Sequence, residues 1–153
     1  MTATRVIDVV SDANVVLKWF HAEGEEEVEH TRALVEAHKA RRIALSVLDL
    51  TPYEAGNALL RGRSKASAER VATVLEALSE ICPAVSPSTD QMRLATELAE
   101  THDLTLYDAA YAAAAQDRGA TLVTLDAALL DAGLGVRPSE LAAQLDDPAE
   151  RPS

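Results

Sequence analysis

A single cysteine, Cys82, stands in a chain of 153 residues. One thiol closes no internal disulfide and offers no thiolate cluster for zinc, so a reducing cytoplasm is the simplest home. Long apolar runs are also missing: nothing approaches the roughly 20 residues that span a bilayer. Met1 to Arg5 leads straight into Val6-Ile7-Asp8-Val9-Val10, too short and too acidic for a secretory signal. The four histidines, His21, His30, His38 and His102, have no paired metal-ligand spacing and read as exposed or helix-terminal residues. No glycine-rich loop is present to cradle a phosphate, which weakens a reading as a phosphatase on a doubly wound sheet.

Cations are outnumbered, with 14 Lys and Arg against 25 Asp and Glu, for a net charge of −11. Taken alone, that runs against the basic footprint of most nucleic-acid binders. A site that holds divalent cations nevertheless needs concentrated negative charge, and the bound metal then attracts phosphate. Acidity equally suits a partner protein with a basic segment.

Apolar residues make up 48% and charged residues 25%, a composition that buries one substantial core in one ordinary domain. Short β-like runs alternate with longer helical patterns. Val6–Val10, Ile43–Val47, Ala84-Val85 and Leu122–Leu125 read as strands. Ala13–Phe20, Glu25–Ala40, a segment opened by Pro52 and closed by Gly62, Ser67–Ser79, a helix around Met92–Ala99, and Ala109–Gln116 capped by Gly119 read as helices. Ala127–Leu130 offers one further short helix. Strands separated by helices imply a parallel sheet covered on both faces, an α/β fold in three layers. Residues 1–145 form the expected domain, and 146–153 read as a polar, frayed tail.

In such folds ligands bind beyond the carboxyl ends of the strands. Asp12 and Asp126 each follow a strand, Asp108 opens a helix whose alanines permit close approach to the sheet, and Glu54 lies in the first turn of another helix. Carboxylates are hard ligands suited to Mg²⁺ or Mn²⁺, and clustered anions are costly without a cation. Each acid also has a plainer reading: Asp108, Asp12 and Asp126 as helix caps, Glu54 as a solvated face residue. Spacing and periodicity support a metal site and no particular reaction.

The residues around the acids go further. Ser11 to Phe20 (SDANVVLKWF) resembles the opening motif of PIN-domain nucleases, especially VapC-type toxins. Glu54 to Arg61 (EAGNALLR), Leu104 to Tyr111 (LTLYDAAY) and Ala120 to Asp126 (ATLVTLD) are similar to the family's second, third and fourth motifs, in that order. The resemblance spans about Val6 to Val136. It implies a three-layer α/β/α sandwich with a central parallel sheet and RNA cleavage with Mg²⁺ or Mn²⁺. By matching position it makes Asp12, Glu54, Asp108 and Asp126 the acidic site. Asp12 and Asp108 would ligate metal directly; Glu54 and Asp126 would ligate directly, through water, or position a second ion. Asn14 and Thr124 match polar positions that orient these carboxylates. It further implies an RNA substrate, a cognate antitoxin and a homodimer. The competing reading is a catalytically inactive PIN-like module that binds RNA or protein, against which all four acids speak.

Other candidates are weighed beside these. Asp8 falls early in its strand, Asp103 fits a helix-to-loop junction, and Asp49 reads as a helix-start residue, although it lies near Glu54. Cys82 reads as a small core residue. Trp19-Phe20 reads as packing or interface more readily than as a platform for an RNA base. Arg61, Arg63, Lys65 and Arg70 fit RNA phosphates and a solvated helix surface about equally.

Overall fold

Val9 and Val10 are neighbours in a strand, so their side chains leave opposite faces of the sheet, and each face needs its own apolar cover. The computed structural model describes residues 5–20, 27–63 and 65–146. Its sheet contains β1 (Ile7–Ser11), β2 (Ile43–Leu48), β3 (Ala84–Val85) and β4 (Thr121–Val123) in the order β3-β2-β1-β4, all parallel. β1 is central, with Val9 opposite Leu45 on one side and Thr121 on the other. Val9, Leu45, Val47 and Val123 enter one core; Val10, Leu48 and Leu122 enter the other.

The first core is closed by α1 (Ala13–Phe20), α2 (Val28–Lys39) and α8 (Pro138–Asp146), through Val15, Val16, Leu34 and Leu141. The second is closed by α5 (Thr89–His102), α6 (Leu106–Arg118) and α7 (Ala127–Asp131). The remaining helices, α3 (Thr51–Arg61) and α4 (Ala68–Ile81), pack together through Leu59, Val71 and Val74. This is the expected three-layer α/β/α sandwich.

Local chemistry explains most element ends. Ser67 caps α4, Ser88 and Gln91 form a reciprocal capping box on α5, and Thr105 caps α6. Gly119 ends α6 with φ +65°, a backbone conformation that glycine adopts without steric cost. Ala109 to Ala115 are buried all round α6, where small side chains let the helix lie close to its neighbours.

α8 is the element sequence patterning does not reveal, since only Leu141 and Leu145 mark its buried stripe among polar residues. Asp146, the first residue of the expected tail, closes that helix; 147–153 lie outside the described residues. β4 stops at Val123, short of the expected Leu125, because Thr124 N–H turns to the Val136 carbonyl at 2.9 Å. The helix expected from Glu25 begins at Val28, and residues 25 and 26 are outside the described set. Cys82 is buried in the first core, where desolvation pushes its thiol up to about 11, so it packs as an unreactive neutral group. Trp19 is likewise buried, edge-on to Phe20 with ring centroids 6.3 Å apart, and its indole face is spent on packing.

Candidate active site

A parallel sheet ends all its strands at one edge, and β1 and β4 are hydrogen-bonded neighbours. Asp12, one residue past β1, donates its backbone N–H to the Val123 carbonyl at 3.3 Å. Its side chain is 4% exposed, with both oxygens engaged. Oδ1 accepts the N–H of Val15 at 3.1 Å, capping α1, and Oδ2 accepts the hydroxyl of Thr124 at 2.5 Å. Thr124 Oγ1 also accepts the backbone N–H of Asp126 at 3.0 Å. One buried threonine thus ties the strand-end aspartates together.

Asp126 caps α7, its Oδ2 accepting the Leu129 N–H at 3.0 Å. The capping readings of Asp12 and Asp126 are therefore true as far as they go, and each uses one oxygen of its carboxylate. Asp108 is not a cap: Thr105 fills that position and takes the Asp108 N–H at 3.1 Å. Asp108 stands in the first turn of α6 and is half-buried. Glu54, half-buried in the first turn of α3, accepts the phenolic O–H of Tyr111 on Oε1 at 2.7 Å.

Electrostatics join the four acids into one set. Burial drives Asp12 up to about 6, against the pull of Thr124 and Val15, and the negative charges of Asp108 and Asp126 push the same way. Glu54 is raised by burial and by Asp108; Asp108 is raised by burial and by Asp126. Asp108 is the common member, within electrostatic reach of the other three. Among the described groups that act on Asp12, none is cationic.

A buried carboxylate compressed by two other acids is chemically suited to a divalent cation, whose charge would relieve both costs. Among the described residues, no three His, Cys, Asp or Glu side chains close on a single point. Mg²⁺ does not require such a cage, because it keeps several waters and takes one or two carboxylates directly. Asp12 and Asp108 fit that role, with Glu54 and Asp126 beside them.

The other residues fall elsewhere. Asn14 is exposed in the first turn of α1 and hydrogen-bonds to none of these acids among the described residues. Asp8 is exposed, Asp103 ends α5 in a left-handed conformation, and Asp49 accepts the Ser86 hydroxyl at 2.8 Å. Asp49 instead lines a cavity of about 810 Å³ with Tyr53, Asn57, Leu60 and Leu75, which none of the four acids lines. Arg61, Arg63, Lys65 and Arg70 are exposed. His38, at the end of α2, accepts the Leu45 N–H on Nδ1 at 3.1 Å, and its Nε2 lies 2.9 Å from the Ile81 carbonyl, a structural staple. His21 is outside the described residues.

Two polar residues escape sequence reasoning. Tyr111 and Thr51 are buried, and their hydroxyls lie 2.7 Å apart. Tyr111 falls three residues after Asp108, on the same helical face, which is the signal that could have found it.

A family model for the PIN domain matches residues 9–133. No curated protein matches the chain in sequence. Among solved structures, a protein of Pyrobaculum aerophilum is similar at 22% identity and TM-score 0.67, covering 94% of this chain and 98% of its own. A sarcin–ricin loop-cleaving VapC toxin of Mycobacterium tuberculosis is similar at 15% identity and TM-score 0.64, over 82% and 95% of the two chains. A VapBC complex of Rickettsia felis, bound to a DNA fragment from its promoter, is similar at 14% identity and TM-score 0.61, over 86% and 97%. At these identities the likeness is one of fold.

Proposed function

The chain belongs to the PIN-domain family, and from that premise we propose that it is a VapC-type toxin, an endoribonuclease that hydrolyses RNA phosphodiester bonds with Mg²⁺ or Mn²⁺. The observation that carries this reading is the coupling of Asp12, Glu54 and Asp126 through Asp108. Four acids from distant segments are gathered at one sheet edge at a cost in folding free energy, and a cation that brings RNA phosphate to them is the use that repays it.

In this reading Asp12 and Asp108 hold the ion. Glu54 and Asp126 hold it through water, ligate it directly, or position a second one. The bound cation would activate a water and offset charge on the phosphate and leaving oxygen. Thr124 keeps Asp12 from turning away, with one hydroxyl spanning Asp12 and the backbone of Asp126. The cap bonds to Val15 and Leu129 hold the same two aspartates from the helix side.

The VapBC and VapC structures that share this fold support a toxin paired with an antitoxin, and the net charge of −11 suits a partner with a basic segment. We assign the nuclease unit to the chain through Asp146, where α8 ends, the working state to a homodimer and the compartment to the cytoplasm. Among the described residues, no helix is long and apolar enough to cross a membrane.

The test is cleavage of total cellular RNA by the purified chain in Mg²⁺ or Mn²⁺, with EDTA and Asp108→Asn as parallel controls. Discrete cleavage lost in both controls is expected. A folded, antitoxin-free chain that leaves RNA from its own host intact would instead be a binding module.

A further inference from the structure

The acids on the strand ends are held by backbone and threonine, but Glu54 rides on a helix and needs another anchor. That anchor is a buried chain of hydroxyls. Thr51 Oγ1 accepts the Leu48 N–H at 3.1 Å from the end of β2. The same Thr51 hydroxyl lies 2.7 Å from the phenolic oxygen of Tyr111. Tyr111 donates its O–H to Glu54 Oε1 at 2.7 Å. The direction follows from the carboxylate end: with its single phenolic proton given to Glu54, Tyr111 can only accept from Thr51, so the Thr51 hydroxyl donates to it.

The chain links the end of β2, the start of α3 and the interior of α6. Tyr111 is 1% exposed and Thr51 fully buried, so water does not compete for either hydroxyl. The phenol also feels the charges of both Glu54 and Asp12, which places it beside two of the four acids. Glu54 Oε2 accepts no hydrogen bond among the described residues. A bond to a charged acceptor is shorter and stronger than a neutral one, and fixes one oxygen while leaving the other turned loose for a second task.

We propose that Tyr111 is the positioning residue for Glu54: its phenol, oriented by Thr51, binds one carboxylate oxygen and holds the other for a hydrated divalent cation. This rests on the metal-nuclease reading above. A phenylalanine at position 111 would supply the same core packing without the oriented proton, so the hydroxyl is separable from the ring.

The decisive experiment is Mn²⁺ titration of the full-length chain by calorimetry, with RNA cleavage measured alongside, on wild type, Tyr111→Phe, Glu54→Ala and the double variant. Outer partners of metal ligands typically contribute 10–100-fold in metal affinity or activity. Tyr111→Phe is expected to keep the wild-type circular dichroism spectrum and to bind Mn²⁺ at least about tenfold more weakly. Its kcat should fall while the KM for RNA changes little. In the Glu54→Ala background, adding Tyr111→Phe should change Mn²⁺ affinity no further, because there is no carboxylate left to hold. A merely structural hydroxyl would weaken both backgrounds alike. Unchanged Mn²⁺ affinity and kcat in a folded Tyr111→Phe protein, or an equal loss in both backgrounds, would overturn the inference alone. A wild-type chain that neither binds Mn²⁺ nor cleaves RNA would overturn the inference together with the reading beneath it.

Discussion

Thr124 donates its hydroxyl to Asp12 Oδ2 across 112 residues of chain, and its own Oγ1 accepts the N–H of Asp126. One side chain thereby sets the relative position of two acids that arrive on different strands. Both Thr124 and Asp12 are buried, so neither finds a substitute partner in water.

Thr124→Val keeps the volume and removes both bonds. The loss of partners for buried polar groups costs about 1–3 kcal/mol, read as a lower urea midpoint at unchanged slope. Thr124→Ser, which keeps the hydroxyl, should recover most of that loss and most of any RNA cleavage. Equal stability of the valine and serine variants would show that the hydroxyl carries no weight.

Stability without metal should fall as pH rises. Asp12 moves from its ordinary 3.8 up to about 6 in the folded protein. Between those values the unfolded chain has released the proton and the native state still holds it, so raising pH favours unfolding. The full loss is reached above about 6, and it is on the order of 3 kcal/mol. Glu54 and Asp108, also raised, act in the same direction. Thermal melts in EDTA should therefore show a falling midpoint from pH 4 to about 6.5, and Asp12→Asn should flatten that fall and melt higher at pH 7.5. A wild-type profile that rises over this range would contradict the burial cost assigned to Asp12.

Metal should reverse that trend. Ligands must lose their protons before a cation binds, so added Mg²⁺ or Mn²⁺ should raise the melting temperature more at pH 8 than at pH 5. Asp12→Asn and Asp108→Asn should lose this upshift. The comparison is a melt with and without metal at each pH, and an upshift that survives both substitutions would place the ion elsewhere.

Gly135 tests the site from behind. A Cβ there would lie 2.7 Å from Thr124 Cγ2 and 3.1 Å from the Leu122 carbonyl oxygen. Gly135→Ala should cost about 1–3 kcal/mol through overpacking and should weaken cleavage by displacing Thr124. Gly119→Ala is the control: its Cβ meets nothing within 4 Å, although φ +65° strains it. That variant should lose stability with cleavage per folded molecule unchanged.

The three layers, and the four acids proposed for the site, are legible in the order of residues alone. Consecutive apolar residues in Val9–Val10 and Leu122–Val123 demand cover on both faces of a strand, and helices with apolar stripes supply it. Those patterns are local, so a chain read in order displays them, and the motif-like segments around Asp12, Glu54, Asp108 and Asp126 mark the acids. How those acids are held is a property of the folded chain. That Thr124 rather than Asn14 grips Asp12 depends on β1 and β4 being neighbours. That Tyr111 aims a proton at Glu54 depends on α3 and α6 meeting at the end of β2. Hydrogen bonds act over about 3 Å in space, and no spacing along the chain encodes which distant side chains will come that close.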